Sequence, residues 1–86
     1  MYKIRFKPTF VRQYKKLIPA LQEEVKERIE ILKLDPKHQF LKTHKSTGKL
    51  QEFWSCSVNY QYRIIFEYEK SDTIVLLMVG DHGIYK

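Results

Sequence analysis

One cysteine, three glycines and three prolines are all that these 86 residues hold of those types. The lone Cys56 cannot close an internal disulfide or build a cysteine-based zinc cluster, so the chain must stand on an ordinary core, and a reducing cytoplasm is the expected setting. So little glycine and proline argues against disorder. No apolar run approaches the roughly 20 residues that a membrane-spanning helix needs. The N-terminus lacks the charged, then apolar, then small pattern of a signal peptide, and the expectation is a soluble, unexported chain with no membrane partner. Acidic residues are scarce as well: 10 Asp plus Glu against 16 Lys plus Arg leave a formal charge of +6, which favours a polyanionic partner. Missing too are a phosphate-cradling glycine loop, an EF-hand loop and an H-E-x-x-H pair, and the three histidines do not fall at metal-ligand spacing. Neither metal nor cofactor is expected.

Hydrophobic residues at 43% and aromatics at 14% supply enough for a core. A chain this short buries only about 60–65% of its unfolded surface, so that core must be compact. No repeat, low-complexity stretch or domain boundary interrupts it, and residues 1–86 read as one domain.

Tyr2, Ile4 and Phe6 alternate with Lys3, Arg5 and Lys7, the period of two that marks a strand with one buried and one basic face. Pro8 ends it, and Thr9 is the expected cap of a helix carrying Phe10, Val11, Tyr14, Leu17 and Ile18. Pro19 suits the first turn of a second helix, in which Leu21, Val25, Ile29 and Leu32 make the apolar stripe. Glu24 and Arg28 stand at the i,i+4 spacing of a favourable pair. Asp35-Pro36 stops this helix, because the residue before a proline avoids the helical region. A basic connector follows, with Lys37, His38, Lys42, His44, Lys45 and Lys49. Three strands then come in close succession, Leu50 to Val58, Tyr60 to Glu69 and Thr73 to Gly80, turned by Asn59 and by Lys70-Ser71-Asp72. Links so short allow only antiparallel hairpins. The expected fold is α+β: a strand, a two-helix hairpin and a three-stranded meander, forming a four-stranded sheet with the helices on one face.

In the strand after Asn59, Arg63 alternates away from Tyr62, Ile64 and Phe66, which places it mid-strand on the side opposite the helices. Its guanidinium matches the oxygens of a phosphate in bidentate geometry and suits the extra negative charge of a pentacoordinate phosphorus. A salt bridge to Glu52, Glu67 or Asp81 across neighbouring strands is the competing role. His82, between Gly80 and Gly83, sits where the chain leaves its most apolar strand. An imidazole gives or takes a proton near neutral pH, as cleavage of RNA by its own 2′-hydroxyl requires. Tyr85 offers a base-stacking ring or an anchor for the C-terminal segment. His44, Lys45, Lys49 and Lys42 supply base and phosphate contacts from the connector. Glu52 is a weaker candidate base. Ser55-Cys56-Ser57 lacks a strained elbow or an activating neighbour, and Cys56, in step with Trp54 and Val58, reads as core.

Taken in order, the strand, the helical hairpin, the Leu-x-x-x-Trp-Ser-Cys-Ser run from Leu50 to Ser57, Tyr-Arg-Ile-Ile-Phe from Tyr62 to Phe66 and Gly-Asp-His from Gly80 to His82 resemble a bacterial toxin of the RelE/ParE superfamily. Within it, the likeness is to the ribosome-dependent messenger-RNA interferase branch, and it spans nearly the whole chain. The resemblance implies a cytoplasmic toxin silenced by a cognate antitoxin in a toxin–antitoxin hetero-oligomer, and metal-independent cleavage of mRNA in the ribosomal A site. By position Arg63 resembles the family's phosphate-stabilising arginine and His82 its C-terminal general acid. His44 resembles a loop histidine, Tyr85 the terminal aromatic, and Lys45 and Lys49 basic residues that replace catalytic histidines in one branch. Where many relatives carry Lys-Gly before the tryptophan strand, this chain has Gln51-Glu52, which leaves the identity of the base open among His44, Lys45 and Glu52.

The expected function is therefore an endoribonuclease toxin that leaves a 2′,3′-cyclic phosphate. A ParE-like gyrase inhibitor on the same fold, and an RNA-binding homologue with lost catalysis, are the alternatives. The nuclease reading requires Arg63 and His82 to converge on one exposed basic hollow.

Overall fold

A computed structural model describes residues 1–45 and 53–81. Strand β1 (Lys3–Phe6) leads into helices α1 (Pro8–Lys15) and α2 (Pro19–Leu34), followed by a 3-10 turn (Gln39–Leu41) and strands β2 (His44–Lys45), β3 (Trp54–Ser57), β4 (Tyr62–Glu69) and β5 (Thr73–Asp81). The sheet order is β1-β5-β4-β3-β2. β1 runs parallel to β5, and the other pairs are antiparallel. The sequence-level expectation of an α+β fold holds, with five strands rather than four. The extra one, β2, has two residues, too few to show any alternation.

Proline sets the start of both helices. Each has Pro at its first position with an extended residue before it, Lys7 and Ile18, and no side-chain cap, since a proline there gives up only an N–H that the helix leaves unpaired anyway. Thr9 is consequently not the cap. It lies inside the first turn, where its hydroxyl accepts from Arg12 Nη2 at 3.2 Å. α2 stops at Leu34 because Asp35 precedes Pro36 and takes up an extended conformation.

Phe10 of α1 and Leu21, Val25, Ile29 and Leu32 of α2 form one cluster with Cys56 and Val58, with Ile64 and Phe66 of β4, and with Ile74, Leu76 and Val79 of β5. Alternation puts these strand residues on a single face, so both helices cover the same side of the sheet. Each buried aliphatic or aromatic side chain contributes about 1.5–3 kcal/mol against exposure. The two sides of β5 are exchanged by an irregularity: Ile65 pairs with Met78 but its neighbour Phe66 pairs with Leu76, leaving Leu77 as an extra residue of the bulge kind. Ile65 and Val75 are buried on the face away from the helices.

Candidate functional site

The site is built on the turn between β3 and β4. Asn59 organises it through its side chain: Oδ1 accepts from the backbone N–H of Gln61 and of Tyr62, both at 2.9 Å, and Nδ2 donates to Glu24 Oε2 at 3.0 Å. An asparagine that turns onto the backbone two and three residues ahead is a strong local turn signal. Tyr60 is thrown outward by this turn and is 97% exposed. It does not begin the buried face of β4, which starts at Tyr62.

Two arginines grip the same turn from different elements. Arg28, on α2, donates through Nε to the Val58 carbonyl at 2.9 Å. Arg63 donates through Nη1 to the carbonyls of Asn59 at 2.9 Å and Tyr62 at 3.0 Å. Ser57 Oγ donates to the same Asn59 oxygen at 2.9 Å. The expected Glu24–Arg28 pair is not formed, because each side chain has a partner in the turn. The salt bridges found among the described residues join Lys3 to Asp72, Arg5 to Glu69, Lys26 to Glu23 and Lys33 to Glu30, and none involves Arg28, Arg63, Lys42 or Glu67. Arg63 is the second residue of the central strand rather than its middle one, and its half-buried side chain bends to the turn beside it.

Arg28, Arg63, Lys42, Ser57, Asn59, Gln39, Phe40 and Tyr60 surround an open hollow of ≈ 560 Å³, within the range of about 300–1,000 Å³ common to ligand sites. Three cations and no paired carboxylate among the described residues give it a positive potential suited to an anion. Cys56 lies close beneath. Burial pushes its thiol up to about 12, against the opposing charges of Arg28 and Arg63 and a backbone hydrogen bond with Ile64. The thiol is thereby kept neutral and out of the chemistry, as its place in step with Trp54 leads one to expect. Two other hollows, of ≈ 290 and ≈ 640 Å³, lie beside β1 and the helices and contain no candidate residue.

The remaining candidates divide by register. His44 pairs with Ser55, and Ser55 with Ile65; Ser57 pairs with Arg63. His44 therefore shares the helix-free face with Arg63, two strands across and two residues along, or about 12 Å between Cα atoms from standard sheet spacings. Its Nδ1 lies 3.0 Å from the Lys42 carbonyl. A carbonyl only accepts, so of the two neutral tautomers this bond favours the one with its proton on Nδ1, in which Nε2 is the acceptor that a general base requires. Lys45 pairs with Trp54, and alternation turns it to the other side of the sheet from His44 and Arg63. β5 brings Gly80 opposite Arg63 and Asp81 opposite Tyr62. Lys49, Glu52, His82 and Tyr85 lie outside the described residues.

Arg28, Phe40 and Tyr60 were not among the sequence candidates. A signal for Arg28 existed: Leu21, Val25, Arg28 and Leu32 follow the four-three-four spacing of a buried stripe, so an arginine at that position faces the body of the protein.

A family model described as a RelE-like toxin of the type II toxin-antitoxin system HigB matches residues 6–82. No curated protein sequence matches the chain. Among solved structures, the fold is similar to the RelBE2 toxin–antitoxin complex from Mycobacterium tuberculosis, with a TM-score of 0.78 and 24% identity over 94% of this chain and 98% of that one. It is similar also to the archaeal RelE–RelB complex from Pyrococcus horikoshii, with a TM-score of 0.76 and 21% identity over 95% and 96% of the two chains. YafQ from E. coli aligns with a TM-score of 0.75 and 13% identity over 98% and 97%.

Proposed function

We propose that this chain, which belongs to the HigB-like family of RelE-like toxins of type II toxin–antitoxin systems, is an endoribonuclease that cuts messenger RNA, in the ribosomal A site, and is silenced in the cytoplasm by a cognate antitoxin protein. The observation that carries the reading is Arg63: a guanidinium fixed by two carbonyls in a basic hollow, with no ion-paired carboxylate among the described residues.

In this reading a base removes the proton of a ribose 2′-hydroxyl. His44, whose bond to the Lys42 carbonyl favours the neutral tautomer protonated at Nδ1 over the one protonated at Nε2, is the described residue suited to that task. The 2′-oxygen attacks the adjacent phosphorus, and Arg63, with Lys49, stabilises the charge that gathers on the equatorial oxygens. The bond from phosphorus to the 5′-oxygen then breaks, and that oxygen takes a proton from His82. The products are a 2′,3′-cyclic phosphate and a 5′-hydroxyl end. Arg63 is bonded through Nη1 to the turn, which fixes its fork before RNA arrives and spares reorganisation during the step. Lys42 holds RNA backbone beside Arg63, and Tyr85 orients the strand.

The antitoxin reading is supported by the solved relatives that are themselves toxin–antitoxin complexes. The test is to induce the chain in cells with and without its genomic neighbour and to map RNA ends by primer extension. Discrete cleavages within coding regions, suppressed by the neighbour, are the expected result. Breaks in DNA with intact mRNA would contradict the proposal.

A further inference from the structure

We propose that the hollow at the β3–β4 turn is a second RNA subsite, in which Arg28 and Lys42 hold a backbone phosphate next to the scissile one and the rings of Phe40 and Tyr60 stack on the flanking bases. The proposal rests on the reading of Arg63 as the scissile-phosphate residue and extends it to the path of the strand.

The argument starts from the two guanidiniums. They are tied to the carbonyls of Val58 and Asn59, consecutive residues of one turn, and line the same hollow. Like charges on one hollow disfavour each other, and none of the salt bridges found among the described residues involves either. A single salt bridge would relieve the repulsion, and Glu24, one helical turn before Arg28, is the residue placed to make it. Glu24 instead accepts from Asn59. Arg28 spends only Nε on the turn, and its outer fork of N–H groups has the geometry that fits phosphate oxygens. Lys42 adds a third positive charge from the end of the 3-10 turn, where its left-handed backbone (φ 50°) closes that turn.

The second line is aromatic. Phe40 is 58% and Tyr60 97% exposed, and both line this basic hollow. Phe40 is held in place, since the His38 ring meets it edge-on at 4.7 Å and His38 Nδ1 accepts from the Phe40 N–H at 3.1 Å. Exposed rings interleaved with cations are the means by which single strands are bound without regard to sequence, bases on the rings and phosphates on the charges. A duplex, whose base faces are hidden, gains nothing from the rings.

The test uses the full-length chain and a fluorescein-labelled single-stranded RNA with 2′-O-methyl riboses, which cannot be cut. Phe40→Ala and Tyr60→Ala each weaken binding roughly 5- to 150-fold, the range that corresponds to losing one stacked base. Lys42→Gln and Arg28→Gln flatten the dependence of log affinity on log salt by about 0.7 each, one phosphate contact on a single strand. Phe40, Tyr60 and Lys42 are exposed, so their variants fold irrespective of the Arg28 result. Unchanged affinity in both aromatic variants overturns the proposal, as does equal binding of a DNA duplex of the same length. Cleavage of an unmodified RNA is read separately. A chain that binds through these residues but cuts nothing removes the nuclease and leaves the subsite, whereas undiminished binding by the variants alongside normal cutting removes the subsite alone.

Discussion

Arg28 and Arg63 reach the same turn from a helix and from a strand, and fasten to consecutive carbonyls at 2.9 Å each. The turn thus holds two fixed cations around one hollow, one from the helix-covered side of the sheet and one from the strand. Its geometry depends on Asn59, whose Oδ1 accepts from the backbone N–H groups of Gln61 and Tyr62 and whose Nδ2 ties the turn to α2 through Glu24.

Asn59→Ala removes those three bonds at once. Loss of about 1–2 kcal/mol of stability is expected, the cost of leaving the part-buried Tyr62 N–H and the Glu24 carboxylate without this partner, with the urea midpoint lowered and the m-value unchanged. Cleavage falls along with it, because the carbonyls that fix Arg63 shift. A variant with wild-type midpoint and wild-type cutting would show that the turn holds without its asparagine.

Cys56 is buried, and burial pushes its thiol up to about 12 from the usual 9.0. In the unfolded chain the thiol ionises above about 9, while in the folded protein it keeps its proton. The unfolded state therefore binds fewer protons there, and the stabilisation this group provides is full below pH 9 and is lost as pH rises from 9 toward 12. Wild type should lose stability over that interval more steeply than Cys56→Ala. Tyr68, raised chiefly by burial as well, contributes in the same direction to both. Iodoacetamide at pH 8 should label native Cys56 about 10³-fold or more slowly than the unfolded chain, since labelling waits on the unfolded fraction; fast native labelling would contradict the burial.

Asp72 accounts for the opposite slope. The Thr73 hydroxyl donates to it at 3.0 Å and lowers its carboxyl below the usual range, with Lys3 at 3.7 Å assisting. A lowered carboxylate stabilises the fold above its unfolded value, and that contribution disappears as pH falls through the folded one. Asp72→Asn should be slightly less stable than wild type at pH 7 and equal to it in strong acid. The group is exposed, so added salt should shrink the difference.

Much of the architecture was legible because it depends on local rules. Pro19 and Asp35-Pro36 bound α2, the spacing from Leu21 to Leu32 gave its buried stripe, and Asn59 and Lys70 to Asp72 marked the turns that the structure contains. Three things were hidden. β2 spans two residues and owes its existence to pairing with β3, which no periodicity encodes. Tyr60 fitted the alternation of β4, but the Asn59 turn ends one residue later and expels it. Arg28 was matched to Glu24 by helical spacing alone, whereas both side chains found partners on a turn some thirty positions away in sequence. Of the site, Arg63 and Lys42 come together around one hollow and His44 lies on the same face, while Lys45 is turned away by its register.

The central claim is that Arg63 stabilises the charge on a phosphorus under attack. Its most direct test is single-turnover cleavage of an mRNA on purified ribosomes by wild type, Arg63→Lys and Arg63→Ala, each first shown to fold and to bind its antitoxin. A slowing of about 10²–10³-fold is predicted for Arg63→Ala, with little recovery in Arg63→Lys, whose single ammonium lacks the fork. Cutting at the wild-type rate by Arg63→Ala would contradict the account.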